Sequence, residues 1–281
     1  MPTFATPEPI SVKLSLGHVA ANVRVVATDR ADTTVDVQPA DPTSKHDLKV
    51  VEQTRVDFAD GRLTVTAPKI SSLFGRGGSV DVTVGLPAGS NLQGETGMGE
   101  LRSEGRLGEC RFKTAYGDLR VEQVGAAELK TAAGAVNLDV AGGAVEVTTG
   151  SGSVHLGRVE GTATVKNSNG ESWIGDVTGN LWVKAANGTI AVERAGADVT
   201  AKTAYGAVRI GEVARGAVTL ETAAGGIEIG VRAGTAAWLD VNTTAGRVRN
   251  ELASAAGPES NDETVEVCAR TYVGDIVVRR A

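Results

Sequence analysis

Residues 145–192 read VEVTTGSGSVHLGRVEGTATVKNSNGESWIGDVTGNLWVKAANGTIAV, and they repeat one unit in phase. Gly152, Gly170 and Gly188 stand 18 residues apart. Apolar residues alternate before each of them, at Val145 and Val147, Ala163 and Val165, Leu181 and Val183. Alternation resumes two residues after, at Val154 and Leu156, at Ile174 with Ser172 in the first place, and at Ile190 and Val192. A period of two is the mark of a strand with one face buried, so each unit predicts two short strands, each ending in a turn.

The unit extends in both directions. The glycine recurs at Gly99, Gly117, Gly134, Gly152, Gly170, Gly188, Gly206, Gly225, Gly246 and Gly274, with steps of 18, 17, 18, 18, 18, 18, 19, 21 and 28. Two strands of this length cannot bury an apolar face alone; stacking identical units does, with strands about 4.8 Å apart. The prediction is therefore an all-β, single-domain parallel β-helix of roughly 18-residue coils. Right-handed winding is favoured by the general handedness of parallel connections. The glycines are read as structural turn positions at positive φ, supported by the pairs Asn169-Gly170 and Asn187-Gly188. Three residues before the glycine run Thr114, Thr131, Thr149, Asn167, Ala185, Thr203, Thr222 and Thr243, a column whose hydroxyls can bond from coil to coil.

The ends need covers, because a bare coil exposes unpaired backbone. The expected organisation is an N-terminal β cap over 1–90, repeats over 91–250, and a loop with closing strands over 251–281. Within the cap, strands are expected at 12–16, 22–27, 33–37, 49–56, 62–67 and 80–86.

Composition agrees with a regular β architecture. The chain of 281 residues holds 36 Gly, is 41% hydrophobic but only 4% aromatic, and carries a formal net charge of −6. That balance argues against nucleic acid as a partner, since phosphate binding needs clustered Lys and Arg. No apolar run approaches the ~18 residues of a membrane span. Met1–Ile10 shows no basic stretch followed by an apolar one, which leads to the expectation of a cytoplasmic protein. Cys110 and Cys268 form neither a metal-ligand spacing nor a disulfide framework.

The repeated Thr-x-x-Gly followed by apolar-x-apolar, the run Leu86-Pro87-Ala88-Gly89 leading into the repeats, and the ending Gly274-Asp275-Ile276 followed by basic residues resemble the bacterial DUF4097 family. Its members are labelled "putative adhesin" or β-strand repeat-containing protein. The resemblance covers nearly the whole chain and implies a β-helix without an assigned reaction.

Candidate chemistry is sparse. His18, His46 and His155 occupy unrelated places, and the acids after the repeat glycines (Glu100, Asp118, Glu171, Asp275) are interrupted by Ala135 and Ser153 and then by Thr189, Ala207 and Gly226, unlike the clustered carboxylates of β-helix glycosidases. Gly75-Arg76-Gly77-Gly78 lacks the Gly-Lys-Ser/Thr ending of a phosphate loop. No catalytic residue, cofactor or metal site is expected. Two surface features stand out: a lysine row four residues before the glycine, at Lys113, Lys130, Lys166, Lys184 and Lys202, and the pair Leu73 and Phe74 in a Ser- and Gly-rich loop. The row reads either as a guard against lateral aggregation or as a stripe that docks an acidic partner. The resulting expectation is a non-catalytic scaffold or protein-interaction module. The alternatives are a carbohydrate-binding or carbohydrate-active β-helix and a self-assembling homo-oligomer or filament.

Overall fold

The computed structural model describes residues 2–68, 78–253 and 263–281, most of them in strands. The chain divides into two compact units, Met1–Ala141 and Gly142–Ala281. Each is a parallel β-helix.

In the second unit one sheet stacks Val145–Ser151, Ala163–Asn169, Leu181–Asn187, Val199–Tyr205 and Gly216–Ala224. A second sheet stacks Val154–Val159, Ser172–Val177, Ile190–Ala195, Val208–Val213 and Ile227–Val231. Pairing follows the 18-residue phase, as in Val165↔Val183↔Ala201 and Ile174↔Val192↔Ile210. The alternation read from sequence becomes a column of fully buried Val, Leu and Ile, each contributing about 1.5–3 kcal/mol by leaving water.

The Thr-x-x-Gly motif has a specific geometry. Thr203 Oγ1 donates to the carbonyl of Gly188 in the neighbouring coil at 3.3 Å, Thr222 to Gly206 at 2.9 Å, and Thr271 to Gly225 at 3.0 Å. These three buried hydroxyls thus clasp the glycine carbonyl of the adjacent coil. Nine of the ten repeat glycines have φ between +124° and +156°; Gly246, in the outermost coil, is the exception.

The coil around Gly170 departs from the pattern with two buried polar side chains. Asn167 takes the Thr place and Ser172 an aliphatic place, both almost fully buried. Asn167 Nδ2 donates to Gly152 and Gly170 carbonyls at 3.1 and 3.0 Å, while Asn167 Oδ1 has no hydrogen-bond partner. An orphaned buried acceptor costs roughly 1–3 kcal/mol. Restoring the repeat with Asn167→Thr and Ser172→Val together is expected to raise stability by about 1–2 kcal/mol, read as a higher urea midpoint.

Both ends depart from simple winding. At the C-terminus, Glu263–Val273 pairs with Gly216–Ala224 on one side and with Thr235–Ala245 on the other. Ile276–Arg280 likewise sits between Ile227–Val231 and Val248–Asn250. The last strands therefore do not close the stack, as the sequence suggested; they insert beneath the coil formed by 235–250. The 28-residue step from Gly246 to Gly274 is this return.

The N-terminal unit does the same. Ser11–Thr28, inside the segment expected as a cap, already winds as a coil. It lies between the outer strands Arg62–Thr66 and Ser79–Pro87 and the inner strands Asn91–Met98 and Leu101–Tyr116. Further coils continue through Leu119–Ala133 and Val136–Ala141. Antiparallel strands then cover the outer coil, Arg55–Ala59 on Arg62–Thr66 and Asp32–Pro39 on Ser79–Pro87, with Thr3–Ala5 added to the latter.

The expected strand at 49–56 is corrected: Lys45–Gln53 is an α-helix. Ser44 caps it by accepting from the Asp47 amide, and buried Asp47 in turn receives the amides of Asp41 and Ser79. An N-cap with an acid in the first turn outweighs the β propensity of Val50 and Val51.

Candidate functional site

The lysine row lies on the outward face of the first sheet in each unit. In the second unit its register runs Lys166↔Lys184↔Lys202↔Glu221↔Arg270 across five strands. In the first unit it runs Glu95↔Lys113↔Lys130. In-register parallel pairing places successive members about one strand spacing apart.

The row is not uniformly bare. Lys166 meets Glu146 at 3.6 Å and lies 6.0 Å from the Trp182 ring centre; Lys202 meets Glu221 at 2.9 Å, and Lys130 pairs with Glu128. Lys113 and Lys184 have no ion-pair partner among the described residues. The Lys130 cation and its hydrogen bond hold the Glu128 carboxyl below the usual carboxylate range.

Each unit has a groove along this row. One of about 690 Å³ in the second unit is lined by Lys184, Lys202, Glu221, Arg270 and Tyr272 over a floor that includes Ala204 and Ala223. One of about 530 Å³ in the first unit is lined by Lys13, Glu95, Arg111, Lys113, Glu128 and Lys130. Sequence reading missed Arg270 and Tyr272. The signal was present, since Arg270 stands four before Gly274, but the inserted strand that brings it beside Glu221 was not visible. Leu73 and Phe74 lie outside the described residues.

A third groove, of about 720 Å³, runs along the end of the second sheet. It holds the register Arg158↔Asp176↔Arg194↔Glu212, in which cation and acid alternate coil by coil. Arg194 bonds Asp176 through two nitrogens at 2.7 and 2.8 Å, and Arg232 bonds Glu212. The Arg194 hydrogen bond lowers the Asp176 carboxyl below its ordinary 3.8, against a smaller opposing effect of burial. A depressed carboxylate stabilises the fold above its unfolded pKa, and that contribution fades as pH falls below about 3.8. Arg194→Gln should therefore lower the melting temperature at pH 7 and lose that difference in strong acid. The effect is small because the Arg194 side chain is exposed and the pair is screened by solvent.

Two of the acids after the repeat glycines serve the backbone: Asp118 accepts the Ala135 amide at 2.9 Å and Asp275 accepts the Arg247 amide at 2.9 Å. Burial pushes the Cys110 thiol up to about 12, which removes it from nucleophilic chemistry near neutrality. Cys268 Sγ lies 3.9 Å from Asp240 Oδ2. Among the described residues no group of three or more His, Cys, Asp or Glu could hold a metal ion, and no helix is long and apolar enough to cross a membrane. On the second sheet His155 and Trp173, neighbours in register, stack with ring centres 4.0 Å apart.

The family model described as Toastrack DUF4097 matches residues 12–176, more than half of the chain. The chain belongs to this family. The match begins inside Ser11–Thr28, the strand that forms the first inserted coil. Similar solved structures include a "putative cell adhesion protein" from Clostridium sporogenes ATCC 15579, at 10% identity and a TM-score of 0.24, covering 100% of this chain and 98% of that one. A "putative adhesin" from Bacteroides fragilis NCTC 9343 is 12% identical, with a TM-score of 0.34 and coverage of 99% and 95%. A "putative adhesin" from Parabacteroides distasonis ATCC 8503 is 13% identical, with a TM-score of 0.31 and coverage of 100% and 95%. Likeness at this level carries no functional argument. No curated protein matches the chain.

Proposed function

We propose that this Toastrack DUF4097 chain is a non-catalytic binding scaffold whose lysine-lined groove receives an acidic, extended segment of a partner protein. The observation that carries the reading is the groove beside Lys184 and Lys202, where the three cations Lys184, Lys202 and Arg270 stand with Glu221 on four consecutive strands, and Asp240 pairs with Arg270 at 3.1 Å. The chain as a whole is acidic, so this local surplus stands out against its surroundings. Strands held by ladders on both sides keep the cations at fixed spacing, which lowers the ordering cost of binding. Exposed cations of this kind steer and select more than they stabilise. A fluorescent poly-glutamate peptide should bind with an affinity that falls with salt, because such charges are screened over about 8–10 Å near physiological ionic strength. Salt-insensitive binding, or none, would count against the groove.

A specific observation supports a second reading, self-association at the C-terminal end. In the outermost coil Val248 is 42% exposed, while its register partner Ile276 is 0% exposed and Ile227 beyond it 1%. Trp238 in the same coil is 62% exposed. Association of this coil with the same coil of a second copy would give a two-fold dimer. Sedimentation velocity across a concentration series distinguishes the cases, and Val248→Glu should leave only monomer.

A further inference from the structure

We propose that the outward face of the second sheet carries a sugar-binding slot between Trp173 and Arg209, floored by Ala191. This site is separate from the lysine groove and does not depend on it. Trp173, Ala191 and Arg209 occupy one outward column on three consecutive strands, in the register Trp173↔Ala191↔Arg209. Parallel strands lie about 4.8 Å apart, so the Trp173 and Arg209 positions are separated by about 10 Å with only a methyl group between them.

The Trp173 ring is held in place from two sides. His155, the preceding member of the column, stacks on one face at 4.0 Å with an interplanar angle of 11°. Gly175 supplies the room beneath it: a Cβ there would lie 3.2 Å from Trp173 Cη2. The stack with His155 shows that rings in this column follow the strand spacing. A ring continuing the column on the other face of Trp173 would sit over Ala191, within about 6 Å of the Arg209 guanidinium.

The chemistry around the slot favours a pyranose over a purely apolar ring. Two residues to either side of Ala191 stand Glu193, exposed on the same strand, and Thr189, in the turn just before that strand. Glu193 accepts hydrogen bonds, the Thr189 hydroxyl donates or accepts, and Arg209 donates. A sugar offers an apolar C–H face to the indole and hydroxyls at its rim for these groups. An aromatic side chain offers the face without the rim. A few polar groups around one apolar platform is the usual composition of small-ligand sites.

The test is a saturation-transfer NMR titration of the intact chain with a panel of neutral methyl pyranosides, using indole and p-cresol as apolar competitors. At least one pyranoside should bind, with its ring C–H protons closest to the protein. Trp173→Ala should weaken it by about tenfold. Ala191→Trp, an outward substitution that fills the slot without touching the core, should abolish binding, while Trp182→Ala on the other sheet should leave it unchanged. Circular dichroism confirms that each variant is folded. The proposal is overturned if no pyranoside binds, if Ala191→Trp binds as the wild type does, or if p-cresol binds and no sugar displaces it.

Discussion

Gly188→Val is expected to destabilise the fold by about 3 kcal/mol or more. Two costs combine. Gly188 has φ +136°, a region that costs a β-branched residue roughly 1–3 kcal/mol. A Cβ on it would also lie 2.0 Å from the Gly170 carbonyl oxygen in the neighbouring coil. That oxygen belongs to backbone and cannot swing aside, so the coils must separate, and forced overpacking adds about 1–3 kcal/mol. The same contact recurs along the column, from Gly206 to Gly188 and from Gly225 to Gly206. The measurement is thermal unfolding followed by circular dichroism, with an expected fall of roughly 6–12 °C for a chain of this size. An unchanged melting temperature would mean that the glycine column does not set the spacing of the coils.

Phe112→Ala should have a comparable or larger effect, about 3–5 kcal/mol, because it empties the largest fully buried side chain among the described residues. Phe112 pairs in register with Gly94 of the next coil, and a Cβ on Gly94 would lie 2.5 Å from Phe112 Cε2. The glycine is the space into which the ring fits. Gly94→Ala alone should therefore destabilise, and Phe112→Leu should relieve that penalty in the double variant. A double-mutant cycle in urea reads the coupling, expected at about 1–2 kcal/mol. Strict additivity would mean that the ring and the glycine do not share this space.

These positions show what was legible in the sequence and what was not. Phe112 and Gly188 fall on the repeat, and the repeat is local: each strand is dictated by alternation within seven residues and each turn by one glycine. The coil, its inward residues and the outward lysine row followed from that. Stacking order did not. Glu263–Val273 and Thr235–Ala245 have equivalent patterns, and either could pair with Gly216–Ala224, so the period alone does not say which one lies outermost. Ser11–Thr28 was hidden for the same reason, since its coil partners stand far along the chain and no 18-residue phase precedes it. The helix Lys45–Gln53 was missed because Val50 and Val51 were weighed by propensity while the Ser44 cap was overlooked.

The candidate site was legible in part for a related reason. Lys184 and Lys202 came from the repeat, whereas Arg270 joins them only through the inserted strand. Neither the ion pair of Lys202 with Glu221 nor the stack of His155 on Trp173 could be read before the register was known.

The measurement that tests the binding scaffold most directly is quantitative affinity capture from native lysate, comparing the wild type with the Lys184→Glu, Lys202→Glu double variant. Both substitutions are at outward positions, so the variant should keep the wild-type melting temperature to within a few degrees. The groove predicts that acidic partners captured by the wild type are lost from the double variant and are released from the wild type by added salt. Capture of the same partners by both proteins, at equal yield and with equal resistance to salt, would contradict it.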